Sequence, residues 1–177
     1  PDMGNVRQAM VHALQQGWDE AVIQAAADLT DLYLDSSDYA QARRSFEAWV
    51  GLARSAQEPC RPASADVLGT LISSLALFYA LIGLRLDAGI SLFAEAVGLL
   101  ERHPGALARS NALSHYASLL LLSGSLDEAA KVAERNVALQ TREGNAYGLC
   151  LGEFDLANII LHCGDFTRAE RLLLENE

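Results

Sequence analysis

A short turn that recurs at nearly constant spacing limits what this chain can fold into more than any other feature. The turns read Ser37-Asp38-Tyr39-Ala40-Gln41-Ala42, Leu84-Arg85-Leu86-Asp87-Ala88-Gly89, Gly124-Ser125-Leu126-Asp127-Glu128-Ala129 and Gly164-Asp165-Phe166-Thr167-Arg168-Ala169. Each places a large apolar residue three positions before Ala or Gly. The anchors Tyr39, Leu86, Leu126 and Phe166 are 47, 40 and 40 residues apart. The longer first interval contains Gln57-Glu58-Pro59-Cys60-Arg61-Pro62, a loop that absorbs the extra residues. Self-similarity at such a period is the signature of stacked supersecondary units.

The turn has a mechanical reading. A residue such as Gly124 or Gly164 ends one helix in a left-handed cap, where a Cβ is costly. The anchor then wedges into the hairpin, and Ala42, Gly89, Ala129 and Ala169 let two backbones approach. One turn further on, Phe46, Phe93, Ala133 and Leu173 share that face and are expected to pack inward. Apolar positions recur at three and four, with no alternating β-branched run, so helix is the reading throughout. Breakers place helices near 4–16, 19–35, 38–56, 65–83, 86–102, 105–123, 126–142, 146–163 and 166–176.

With Tyr33, Ala80, Leu120 and Ile160 six before the anchors and Thr30, Leu77, Ala117 and Ala157 nine before, the pattern resembles the tetratricopeptide repeat. The second repeat departs from it. Leu77 replaces a small residue and the glycine is Gly83 rather than residue 84, which predicts a looser or shifted hairpin there. The resemblance implies an all-α fold: a right-handed α-α superhelix of about four hairpins plus an N-terminal helix. The expected organisation is one array over 1–177, with helix 4–16 and repeats at about 19–56, 65–102, 105–142 and 146–177. The last helix breaks off at Leu172-Leu173-Leu174-Glu175-Asn176-Glu177 without a polar cap, which predicts an exposed apolar end and a fragment of a larger multidomain protein.

Two segments extend the resemblance. Asn5-Val6-Arg7-Gln8-Ala9-Met10 with Ala13-Leu14 and Ala25-Ala26-Ala27 is similar to the helix that begins the repeat region of large bacterial signal-transduction ATPases. Ala138-Leu139-Gln140, Gly144, Leu156-Ala157-Asn158 and Arg168-Ala169 are similar to later repeats of the same regulators, of the MalT, AfsR and LuxR type. This implies a ligand- or partner-sensing module of a bacterial transcriptional regulator. The other reading is a free-standing scaffold, similar to the kinesin-light-chain-like arrays of forty-residue period, that binds a peptide.

Charge and chemistry narrow the function classes. Thirteen Lys and Arg against 23 Asp and Glu give a net charge of −10, which opposes direct nucleic-acid contact. Cys60, Cys150 and Cys163 form no close pair, which fits reduced thiols and a cytoplasmic protein. The most apolar run, Leu113 to Leu122, is broken by Ser114, His115, Tyr116 and Ser118, so no membrane span is expected. No phosphate-cradling glycine motif occurs, His12, His103, His115 and His162 lack ligand spacing, and no serine sits in a nucleophile elbow. Asp38-Tyr39 and Asp165-Phe166 read as helix caps followed by a packing wedge. The chain is therefore expected to be no enzyme, with no cofactor and no metal.

Site residues come from geometry. Stacked hairpins line a concave groove with their first helices. Counting back from the anchors, the resemblance to tetratricopeptide arrays implies that Gln24, Asp31 and Asp35 lie there, then Leu71, Ser74, Phe78 and Ile82, then Asn111, Ser114, Ser118 and Leu122, then Leu151, Phe154, Asn158 and His162. Of these, Asp31, Asp35, Phe78, Asn111, Ser114, Ser118, Phe154, Asn158 and His162 are the candidate binding set. The competing reading makes Phe78 and Phe154 core and lets the Ser and Asn side chains bond carbonyls one turn back. The expected partner is a protein or peptide, with a small-molecule effector as the other occupant, and the uncapped terminal repeat is expected to support a homodimer.

Overall fold

In the computed structural model, residues 3–55, 63–82, 86–101 and 106–174 are described, and among them everything is helix, cap or turn. The helices are α1 (Met3–Gln16), α2 (Asp19–Ser36), α3 (Tyr39–Arg54), α4 (Ala65–Leu81), α5 (Leu86–Leu100), α6 (Ala106–Leu122), α7 (Leu126–Glu143), α8 (Ala146–His162) and α9 (Phe166–Leu174). All of their ends fall within two residues of the expected ones. The expected loop 57–62 lies outside the described residues. None of these helices is long and apolar enough to cross a membrane.

The turns work as their residues require. Gly124 and Gly164 take φ of 81° and 84°, and the following N–H groups of Ser125 and Asp165 donate back to the carbonyls of Leu120 and Ile160. Ser37 holds the same left-handed position at φ 55°, a conformation in which glycine would cost less. Asp38 and Asp165 cap the helices that follow, each accepting a backbone N–H at 3.1 Å, from Gln41 and Arg168 respectively.

The chain divides into two compact units, residues 1–105 and 106–177. The division falls between the expected second and third repeats. In the first unit α1 packs on α2 and α3, α4 packs on α2 and α3, and α5 packs on α4. Its centre is aromatic. Phe78 meets Phe46 at 5.6 Å, Tyr33 at 6.0 Å and Tyr39 at 6.3 Å, and Phe46 meets Trp49 edge-on at 5.0 Å. Tyr33 and Arg7 both reach Ser45 at 3.1 Å, which ties α1 and α2 to α3.

In the second unit α7 packs between α6 and α8, α8 also touches α6, and α9 packs on α8. Here the interior is aliphatic apart from the buried ring of Tyr116, and it carries a ladder of amides. Ser110 Oγ donates to Asn136 Oδ1 at 2.9 Å, Asn145 Nδ2 donates to Gln140 Oε1 at 2.8 Å, and Gly148 N–H donates to Asn145 Oδ1 at 3.1 Å. Asn136 and Gln140 are buried, so each would cost free energy if left unpaired. Gly148 is small for a reason: a Cβ there would collide with the Gln140 carboxamide.

Phe46, Phe93 and Ala133 are buried as expected, whereas Leu173 is exposed. The anchors diverge likewise. Tyr39 packs against Phe78 at a tilt, but Phe166 stands mostly in solvent.

The second hairpin corrects its expected register. Phe78 and Leu71 are fully buried and cannot line a groove. If the first helix of this repeat is shifted by one residue, aligning Gly83 with Gly124, Phe78 matches the buried Leu119 and Ile159, and Leu71 matches the buried Ala112 and Gly152. The close-packing position then falls to Ala76, which is small and buried like Ala117 and Ala157. One extra residue between α4 and α5 rotates every assignment on α4 by about 100°. The hairpin is not loose, because a Cβ on Gly69 of α4 would lie 2.7 Å from Leu100 Cγ of α5.

Candidate interaction surface

The first helices of the second unit, α6 and α8, lie side by side and present one continuous face. Ser114 on α6 hydrogen-bonds the carboxylate of Asp155 on α8, pinning the two helices in register. On either side of that link, Asn111, Ser118 and Leu122 of α6 and Leu151, Asn158 and His162 of α8 are all exposed. The pairs Asn111 and Leu151, Ser118 and Asn158, and Leu122 and His162 are forty residues apart. Each is exposed in both repeats, so the repeat itself leaves this strip open, whatever the residue type.

The strip mixes apolar and amide character. Leu122 and Leu151 offer greasy surface, and the Asn111 and Asn158 carboxamides each carry both donors and an acceptor. His162 Nδ1 lies 2.8 Å from the Asn158 carbonyl oxygen. A carbonyl only accepts, so Nδ1 is the donor in this contact. Among the described residues, two groups have moved titrations: burial and then Glu128 raise the Tyr116 phenol, while the Tyr79 hydrogen bond and then Glu47 raise the Arg43 guanidinium. Neither belongs to this strip.

The remaining expected site residues are placed differently. Ser114 is engaged by Asp155 rather than by a carbonyl one turn back. Phe154 is exposed as well, about 100° round α8 from Asp155. Asp31 and Asp35 are exposed on α2, in the first unit, one turn apart and in line with Asp28 and Gln24. Gln24 donates to Asp28 at 2.8 Å, so part of this acidic line is internally satisfied. Tyr147, exposed at the start of α8, was not among the expected residues because its counterpart forty residues earlier, Leu107, marks no polar break. Among the described residues, no three His, Cys, Asp or Glu side chains gather as metal ligands.

Comparison with known proteins agrees with this architecture. No protein-family model and no curated protein matches the chain. Among solved structures, the chain is similar to the nearly identical TPR-like repeats of a Podosopora anserina kinesin light chain. The TM-score is 0.66 at 14% identity, over 98% of this chain and 92% of that one. It also aligns with BtubC (BKLC) from P. vanneervenii at a TM-score of 0.43 and 16% identity, over 99% of this chain and 90% of that one. The first likeness shows the fold: these are tetratricopeptide-like helical repeats.

Proposed function

We propose that this chain is a non-catalytic interaction module that binds a protein or peptide partner on the α6/α8 strip. The observation that carries this reading is the open face formed by Asn111, Ser118, Leu122, Leu151, Asn158 and His162 on two pinned, neighbouring helices. Repeats of this kind use such faces as extended binding surfaces, and an apolar strip with a few well-placed polar groups suits a peptide's side chains and backbone together. A small-molecule effector is the smaller occupant of the same face. Net charge of −10 opposes direct nucleic-acid contact. The exposed thiols of Cys150 and Cys163 fit a reducing, cytoplasmic setting.

The two settings read from the sequence stay distinct. A free-standing scaffold asks for nothing beyond the repeat fold. A sensing module within a bacterial ATPase regulator needs, in addition, the resemblance of the opening helix and the later repeats. A phosphate-binding loop encoded upstream of Pro1 supports the regulator, and a start codon directly before it supports the scaffold. In either setting α8 and α9 carry exposed large apolar residues, Tyr147, Phe154 and Phe166 among them.

Selection of peptides from a display library on the intact chain tests the strip. A selected peptide should bind the Asn111→Ala/Asn158→Ala variant at least about tenfold more weakly, by about 1.4 kcal/mol, while the melting temperature holds. Unchanged affinity in that variant removes the strip as the binding site.

A further inference from the structure

Between α6 and α8 the strip has a floor, and a carboxylate sits in it. Ser114 Oγ donates to Asp155 Oδ2, and both residues are half-buried where the two helices meet. A carboxylate offers about four lone-pair sites on its two oxygens, and one neutral hydroxyl fills one of them. Among the described residues no basic side chain pairs with Asp155, since the ion pairs of this unit are Arg109–Glu143, Arg142–Glu143 and Arg168–Glu134.

Other acids of the chain are provided for. Glu47, Glu95, Glu134 and Glu143 each hold an arginine, Asp38 and Asp165 cap helices, and Asp31 and Asp35 stand in solvent. Asp155 is partly withdrawn from water without a cation or a cap to offset the loss of hydration. Its charge is also more than the helix contact requires. An asparagine carbonyl would accept the Ser114 hydroxyl and hold α6 to α8 without any charge, and the place forty residues earlier is filled by His115.

The surroundings select what can complete this carboxylate. Asn111, Ser118, Leu122, Leu151, Asn158 and His162 include no Lys, Arg, Asp or Glu, so Asp155 is the one carboxylate of the face. Leu151 lies one turn before it, about 6 Å along the helix. An extended peptide advances about 3.3 Å per residue, so a side chain two residues from the one at Asp155 reaches the level of Leu151. The net charge of −10 draws a basic segment toward the chain and repels an acidic one.

We propose that the partner of the α6/α8 strip is a basic peptide segment that seats a Lys or Arg side chain on Asp155 and an apolar neighbour against Leu151. The proposal rests on the strip reading above and names the chemistry of its partner. The cation bonds the oxygen that Ser114 leaves free, a charge-assisted contact in a half-dry site, while the leucine supplies apolar contact beside it.

Random peptides displayed on phage and selected on the intact chain should converge on sequences with Lys or Arg within two residues of a large apolar residue. Asp155→Asn keeps an acceptor for Ser114 and removes the charge. Its melting temperature should hold, while a selected peptide binds about tenfold more weakly, by about 1.4 kcal/mol. Asp31→Asn removes an equal charge from α2 and should leave the affinity unchanged. Replacing the peptide's Lys or Arg by Gln should cost the same tenfold on the wild-type chain, and this arm decides if Asp155→Asn lowers the melting temperature. Selected peptides without a basic residue, or equal losses in Asp155→Asn and Asp31→Asn, overturn the role of Asp155. Full affinity in Asp155→Asn with a loss in Asn111→Ala/Asn158→Ala overturns it too, and leaves the strip standing. Full affinity in all of these variants, or a selection that yields no binder, overturns the strip as well.

Discussion

In residues 1–105 the rings of Tyr33, Tyr39, Phe46, Trp49 and Phe78 meet one another where α2, α3 and α4 converge, whereas in residues 106–177 Tyr147, Phe154 and Phe166 stand in solvent. The second unit closes its interior instead with Ala117, Leu120, Ala157 and Ile160 and with the Ser110, Asn136, Gln140 and Asn145 ladder. Both units are built from the same repeat signature. In the second unit Tyr116 is a buried ring, and the interior around it is filled with smaller aliphatic side chains. The contrast shows how one repeat scaffold can gather aromatic residues inside one unit and leave most of them at the surface of the other.

Phe78→Ala tests the comparison most severely. A ring removed from a fully buried cluster should cost about 3–5 kcal/mol, and since Trp18 and Trp49 both lie in the first unit, the loss should appear as an earlier tryptophan-fluorescence transition in urea. Were that transition to stay in place, the aromatic cluster would not be what holds the first unit together. Gln140→Ala should come next, at about 1–3 kcal/mol, because it leaves the Asn145 amide short of its buried acceptor. Hydrogen exchange in α7 and α8 should quicken, while tryptophan fluorescence responds less.

Arg168→Ala removes an exposed 2.7 Å pair with Glu134 between α9 and α7, and should cost only about 0.2–1 kcal/mol, an amount that shrinks with added salt. The more enclosed Arg109–Glu143 pair should respond less to salt than this one. Phe154→Ala should have the smallest effect, within about 0.5 kcal/mol, because the ring is exposed. Set beside Phe78→Ala, it is the sharpest internal control. Two phenylalanines expected from the sequence to share one groove should differ severalfold in their stability cost.

Much of the fold was legible because the signals were local. Gly124 and Gly164 mark their turns through the φ they alone adopt cheaply, Asp38 and Asp165 through the cap they make, and the helices between them through apolar periodicity. The candidate strip was legible in the second unit, where forty residues separate equivalent positions without insertion. It was misread on α4, where one added residue before Leu86 turned the first helix by about 100° while leaving the second helix in register. Ala76 as the close-packing residue held the clue, since it restores the small side chain that Leu77 breaks.

From its sequence alone this protein is a set of paired helices with a period of about forty, an acidic surface and a terminal hairpin rich in large apolar residues. These follow from backbone preferences, spacing and charge, which act over a few residues at a time. Which phenylalanine is core and which is surface, that Ser114 grips Asp155, and that Asn136 and Gln140 lie buried in a shared ladder were decided only by tertiary packing. The face a helix turns inward depends on where its neighbours lie, and a single residue in a connection is enough to change the answer.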